Sequence, residues 1–418
     1  MFFKLENVGK IKRAEVELHG ITVITGNNRT GKSTVGKMLY CIFSAFRNGY
    51  VYQERENAFC NIWKNYLLFP SEKGAFPQKI FHEYHNDIFN SNNSEEKIRE
   101  KIESIIRHVK AKLPENIKEE FYKEVVKLLK TTDETIQRSI FDRYLQVEFS
   151  GNVNHVNTPE ETARVYAKMK ADEIEIEINN NLSSCIKKQE NVFSDIFYID
   201  TSFALDDLNN NVGIYYSEKF YLGHKYKLES KLTKTNLDAN VINDIEAKEK
   251  IAKIFKTIVS MPEEIRDGNF ISENGRLLYK EKKHSVALDF NSVSAGMKPF
   301  LTIKRLMESA EIKRKSVIVL DEPEVNLHPE WQLFFAEFIV LLQKEYDATI
   351  LLATHSPYFL EAIEVFGKKH EIEDKCRYYL ARNEDDIYSV IEDVTQETNK
   401  IYDLFANPFR KLSSMAAL

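Results

Sequence analysis

Apolar and polar positions alternate at the start of the chain and then stop alternating. Phe2–Glu6 and Ile11–Leu18 read as strands with one buried face, Gly9 and Gly20 punctuate them, and Ile21-Thr22-Val23-Ile24 is a short apolar run. Behind that run Ser33–Tyr40 suits a helix that continues to about Arg47. From about 50 to 190 the pattern is mostly helical. Ile98, Ile102, Ile105, Ile106, Val109 and Leu113 recur at helical spacing, Pro114 breaks the stripe, and Ile117, Phe121, Val125, Leu128 and Leu129 begin another. Two amphipathic helices across a proline predict a helical hairpin or small bundle. Thr158-Pro159-Glu160-Glu161 has the N-cap, first-turn proline and acid of a helix start. Glu173–Ile178 alternates Glu and Ile, as a strand with one wet face does.

The second half reads differently, because its apolar runs are continuous and end in polar turns. Ile196–Ile199, Ser316–Leu320 and Thr349–Ala353 are the runs, ending at Asp200-Thr201-Ser202, Asp321-Glu322 and Thr354-His355-Ser356-Pro357. Such runs predict strands buried on both faces of a parallel sheet covered by helices. Asp238–Val259 and Pro299–Ser309 read as helices, and Arg276–Lys280 with Ser285–Phe290 as a hairpin. Two strands and a closing helix are expected after His355. Residues 205–235, rich in Asn, Lys and Tyr, give no readable period.

Composition narrows the class without naming a chemistry. The 418 residues allow several domains or one large domain with an insertion. A net charge of −6 argues against a globally basic coat for nucleic acid. The 4 cysteines are scattered, so neither a disulfide framework nor a zinc site is expected, and a reducing compartment fits. The N-terminus has no secretory h-region and no apolar run approaches ~18 residues. A cytoplasmic protein without a membrane span is the expectation. His82-Glu83-Tyr84-His85 lacks the spacing of a metal pair and reads as ordinary.

Chemistry enters with Gly26-Asn27-Asn28-Arg29-Thr30-Gly31-Lys32-Ser33, which reads G-x-x-x-x-G-K-S between a strand and a helix. Glycines let backbone N–H groups surround an anion, and the helix N-terminus adds partial positive charge. Lys32 would reach the β- and γ-phosphates, and Ser33 would sit on Mg²⁺; Thr34 completes the candidate nucleotide-binding set. The flanking strand and helix favour this reading over a chance glycine turn. Asp321, at the carboxyl end of its strand, is the second candidate Mg²⁺ residue, and Glu322 is placed to take a proton from the attacking water. His355 is placed to reach the γ-phosphate or that water. Ser294-Ala295-Gly296, ahead of a helix, is another candidate anion site.

In this order the motifs G-x-x-x-x-G-K-S, S-A-G, D-E-P-E-x-N-L-H-P and T-H-S-P resemble an ABC-type ATPase head of the SMC, RecF and OLD-like group. Glu324-Val325-Asn326-Leu327-His328-Pro329 is similar to the OLD-like and defence-associated members. The resemblance covers about 1–48 and 195–400. It implies an α/β fold, an ABC-type P-loop head of mixed or parallel sheet with flanking helices over 1–48 and 191–418, carrying a mainly helical insertion over 49–190. It implies ATP and Mg²⁺ as ligands and a homodimer or higher homo-oligomer formed through heads that sandwich ATP. Ser294, Ala295 and Gly296 would be the signature motif that meets the nucleotide of a second copy, and His355 the switch histidine. His328 stands where transporter-type members carry an aspartate, and the family's glutamine loop has no clear match beyond Asp200 or Thr201. OLD-family nucleases carry a Toprim domain after the head; with 63 residues after His355, no such domain is expected here, and Asn383-Glu384-Asp385-Asp386 reads as a solvent turn. By analogy with Septu- or PARIS-like systems, the expected role is an antiviral sensor or clamp that controls a separate effector nuclease or toxin. The rivals are a RecF-type repair ATPase that binds DNA itself, and a scaffold whose nucleotide is hardly turned over.

Overall fold

Alternation builds one half of the main sheet and continuous apolar runs build the other. The computed structural model describes residues 1–67, 76–88, 94–169, 172–188, 195–200, 222–233, 241–258, 261–273 and 276–416. The first strands, β1 (Phe2–Val8) and β2 (Ile11–Glu17), pair antiparallel and bury Phe3, Leu5, Ala14 and Val16 on one face. Then β3 (Ile21–Gly26) is buried at every position and leads to α1 (Lys32–Ala45).

A compact helical unit spans Ala45–Phe141. It contains α2 (Tyr50–Tyr66), α3 (Phe76–Ile88), α4 (Glu95–His108), α5 (Lys118–Lys130) and the start of α6 (Asp133–Glu148). The isoleucine stripe of α4 and Phe121 and Val125 of α5 join Phe59, Trp63 and Phe81 in this unit's own core. Pro114 stands ahead of a single 3₁₀ turn between α4 and α5, as the broken stripe implies.

The insertion is therefore shorter than 49–190. Residues 142–418 belong with 1–44, and β4 (Ala163–Met169), β5 (Asp172–Asn179) and β6 (Leu182–Lys188) extend the main sheet outward from β1. The capping signal at Thr158-Pro159 makes only a turn, closed by the Glu161 N–H donating to the Thr158 carbonyl at 3.0 Å. The period-two burial of Ala163, Val165 and Ala167 then takes the chain into a strand. A local cap yields to two-sided pairing with β1 and β5.

The remaining elements are β7 (Ile196–Ile199), α7 (His224–Leu232), α8 (Val241–Thr257), α9 (Glu263–Arg266), β8 (Asn269–Glu273), β9 (Arg276–Lys280), β10 (Leu288–Asp289), α10 (Lys298–Glu308), β11 (Val317–Asp321), α11 (Pro329–Tyr346), β12 (Thr349–Thr354), α12 (Pro357–Lys369), β13 (Cys376–Asn383), β14 (Ser389–Asp393) and α13 (Asn399–Ala416). The expected hairpin is the β9–β10 pair, to which β8 adds a third strand. The segment after His355 holds one helix more than its apolar pattern suggested, α12, which Ser356 caps.

The described strands of the main sheet run β6-β5-β4-β1-β2-β14-β13-β3-β12-β11-β7, eleven in all, with β13, β3, β12, β11 and β7 mutually parallel. This is the expected fold class, a mixed sheet with flanking helices. Its parallel strands end together at Gly26, Thr354, Asp321 and Ile199, the end of a parallel sheet where ligands bind. Among the described residues, no helix is long and apolar enough to cross a membrane.

Candidate functional site

The glycine loop joins β3 to α1 by a tight path. Gly26 has φ 149°, and a Cβ there would fall 1.9 Å from the Ala381 carbonyl oxygen of the neighbouring strand. Only glycine fits so close an approach. Asn27, Asn28 and Arg29 are exposed, Arg29 with φ 62°, while Thr30 turns inward and donates to the Asn27 carbonyl at 2.8 Å. The helix is entered at Lys32, and the Thr34 N–H donates to the Gly31 carbonyl at 3.1 Å.

Lys32 is 5% exposed, and its Nζ donates to the carbonyls of Gly26 at 3.1 Å and Asn27 at 2.8 Å. Burial lowers its pKa to about 8, against the opposing pull of Glu322, Asp321 and Glu324. The next residue, Ser33, donates from Oγ to Asp321 Oδ1 at 3.0 Å, and the Tyr198 hydroxyl donates to Asp321 Oδ2 at 2.7 Å. Burial pushes the Asp321 carboxyl up, while these two hydrogen bonds hold it down. An Mg²⁺ ion takes such hard oxygen donors, so the Ser33–Asp321 pair fits that ion.

Glu322 follows the strand end with φ 52°, unusual for a residue with a Cβ. Its backbone N–H still donates to the Ala353 carbonyl at 2.9 Å, and its Oε1 lies 2.9 Å from His355 Nε2. Burial and the Lys32 charge lower the His355 pKa, opposed by Glu322 and the Gly26 carbonyl. Lys32, Ser33, Asp321, Glu322 and His355 thus form one cluster at the carboxyl ends of β3, β11 and β12.

Ser294, Ala295 and Gly296 lie outside that cluster. Ser294 is exposed, its carbonyl accepting from the Met297 N–H at 3.0 Å just ahead of α10, and a Cβ on Gly296 would sit 3.1 Å from the Asn326 carbonyl oxygen. His328 caps α11 by accepting from the Glu330 N–H at 3.4 Å. Asp200 pairs with His224 at 3.3 Å and Lys225 at 3.4 Å; Thr201 lies outside the described residues. Burial works against a charged His224, yet its hydrogen bonds to Asp200 and Glu148 raise it to about 9. Asp385 accepts the Ile387 and Tyr388 N–H groups at 2.8 and 2.6 Å, as a turn residue does.

Two residues of this neighbourhood escaped the sequence reading. Tyr198 was legible only as one of four apolar strand positions. Glu324 was legible only as part of a motif; it is 7% exposed and accepts from Thr354 Oγ1 at 2.6 Å and the His355 N–H at 2.7 Å.

The family model described as AAA ATPase domain matches residues 1–360. Over 77 residues, 18% of the chain, the sequence is 38% identical to a provisionally named ABC transporter ATP-binding protein of Methanosarcina acetivorans, a match spanning only 22% of that protein's length. Among solved structures, similarity extends to an SMC head bound to the C-winged helix domain of ScpA, at 10% identity and TM-score 0.45 over 94% of this chain and 97% of that one. The SMC head domain from Thermotoga maritima is similar at 12% identity and TM-score 0.38, over 94% and 98%. The fold assignment rests on the strand order itself.

Proposed function

The chain belongs to the AAA ATPase domain family, and from that premise we propose that it binds ATP at Gly26–Ser33 and hydrolyses it. The observation that carries this reading is the convergence of Lys32, Ser33, Asp321, Glu322 and His355 from three parallel strand ends and a helix start. The backbone of the loop and the Lys32 ammonium hold the phosphates. Mg²⁺, held by Ser33 and Asp321, would neutralise charge on the phosphate oxygens. Glu322 takes the proton as water oxygen bonds to the γ-phosphorus, and the bond to the bridging oxygen breaks with its electron pair leaving on ADP. His355 holds the Glu322 carboxylate in place and meets the γ-phosphate side of the loop.

The resemblance in motif order supports a further step: Ser294-Ala295-Gly296 completes the site of a second copy, so that two chains close around ATP and reopen after hydrolysis. Glu324–Pro329 is the segment that favours a defence role, in which this motion controls a separate effector nuclease or toxin. Phosphate release under saturating Mg-ATP tests the core of the reading. Glu322→Gln is expected to lower turnover on the order of 100-fold or more while nucleotide still binds. Turnover equal to wild type in that variant would take the proton-accepting role from Glu322, and no phosphate release by the wild-type protein would leave the nucleotide a structural ligand.

A further inference from the structure

Glu324 buries a carboxylate two residues beyond Glu322, where an apolar side chain would cost less. Burial pushes its pKa up. Its Oε1 accepts both the Thr354 hydroxyl and the His355 N–H, and its Oε2 is buried with no hydrogen-bond partner among the described residues. The residue after His355 is held by the helices instead: Ser356 Oγ donates to Gln332 Oε1 of α11 at 2.5 Å and accepts from the Phe359 N–H of α12 at 3.2 Å. Main-chain groups at a strand end have lost their ladder partners, so unless something binds them they are free to reorient. Here Thr354 and the His355 N–H are tied to the loop that carries Glu322, and Ser356 to helix α11.

We infer that Glu324 is a positioning residue for the hydrolysis proposed above: by bonding Thr354 and the His355 backbone it fixes the imidazole against Glu322. The inference rests on that hydrolytic reading. The carboxylate cross-links the loop after β11 to the loop after β12, so the 2.9 Å contact between Glu322 and His355 is set by backbone geometry rather than by the pair's own flexibility. Supporting groups of this kind are worth about 10–100-fold in activity when removed, because small displacements at the reacting atoms are costly.

The test compares kcat and KM for Mg-ATP across variants of the full chain. Glu324→Ala removes both bonds and is expected to lower kcat about 10–100-fold with KM within roughly threefold of wild type. Glu324→Gln keeps an acceptor oxygen for both donors and is expected to retain kcat within about threefold. A purely structural role would lower the melting temperature of Glu324→Ala without this split or this rescue. Should Glu324→Ala fail to fold, Thr354→Val is read instead; it deletes the donor to Glu324 and the acceptor of the Ser356 N–H while leaving the His355 bond, and wild-type kcat there overturns the inference. Glutamine as damaging as alanine also overturns it, since charge rather than hydrogen bonding would then matter. Glu322→Gln and His355→Ala, run alongside, separate the two levels. Wild-type turnover in Glu322→Gln removes Glu322 as the proton acceptor, and with it the premise of this inference. Slow turnover in both controls beside wild-type turnover in Glu324→Ala removes only the role of Glu324.

Discussion

Folded back on its own loop, the Lys32 ammonium trades water for the carbonyls of Gly26 and Asn27, and burial leaves its pKa at about 8. That value makes nucleotide affinity depend on pH in a defined direction. Phosphates favour the charged lysine, so the complex holds the proton to higher pH than the free protein does. Below about 8 the free lysine is already charged and affinity is flat; above it, binding must first take up a proton, and affinity falls by up to about tenfold per pH unit. Calorimetric titration with a non-hydrolysable ATP analogue from pH 7 to 9.5 would display this break. Lys32→Ala, expected to bind weakly throughout, should lack it, and a break retained in that variant would assign the proton elsewhere. At this scale the sequence was readable where spacing encodes chemistry, as in Gly26–Ser33. Tyr198 and Glu324 were not readable as site residues, because their roles arise from strand neighbours far away in sequence.

Helix α1 lies so near the sheet that a Cβ on Gly36 would come within 2.8 Å of Val319 Cγ1 and 3.0 Å of Tyr198 Cε2. The same two strands carry Asp321 and the tyrosine that bonds it, so this closeness sets how Ser33 meets Asp321. Gly36→Val is expected to destabilise the protein by about 1–3 kcal/mol, overpacking outweighing the few tenths of a kcal/mol by which valine exceeds glycine in helix propensity. The midpoint of urea unfolding measures it, and an unchanged midpoint would mean that α1 can shift outward freely. Elements were legible wherever a period ran long enough. The isoleucine stripe of α4 and the Glu/Ile alternation of β5 each appear where the pattern put them. The boundary of the insertion was not legible, because Ala163–Met169 joins the main sheet by pairing with β1, about 160 residues earlier in the chain, as well as with its neighbour β5. Topology decided there what local propensity left open.

For the molecule as a whole, the arrangement of Ser294 sets the sharpest test. Ser294 is exposed and, among the described residues, bonds no atom of the Gly26–Ser33 loop, so in one chain the two candidate phosphate-binding segments are not bonded to each other. If a second copy supplies Ser294, each site needs Lys32 from one chain and Ser294 from the other. Lys32→Ala and Ser294→Arg should then both be inactive alone. Mixed in equal amounts, half of the dimers carry one of each, and in those one of the two sites joins an intact Lys32 to an intact Ser294. Mixing is therefore expected to restore phosphate release to about a quarter of the wild-type rate by the pairing statistics of a two-fold dimer. Sedimentation velocity supplies the matching physical measurement: Glu322→Gln with Mg-ATP should sediment as a dimer, and adding Ser294→Arg to it should return the monomer. Activity in Ser294→Arg alone, or no recovery from the mixture while each variant still folds, would confine the whole reaction to a single chain.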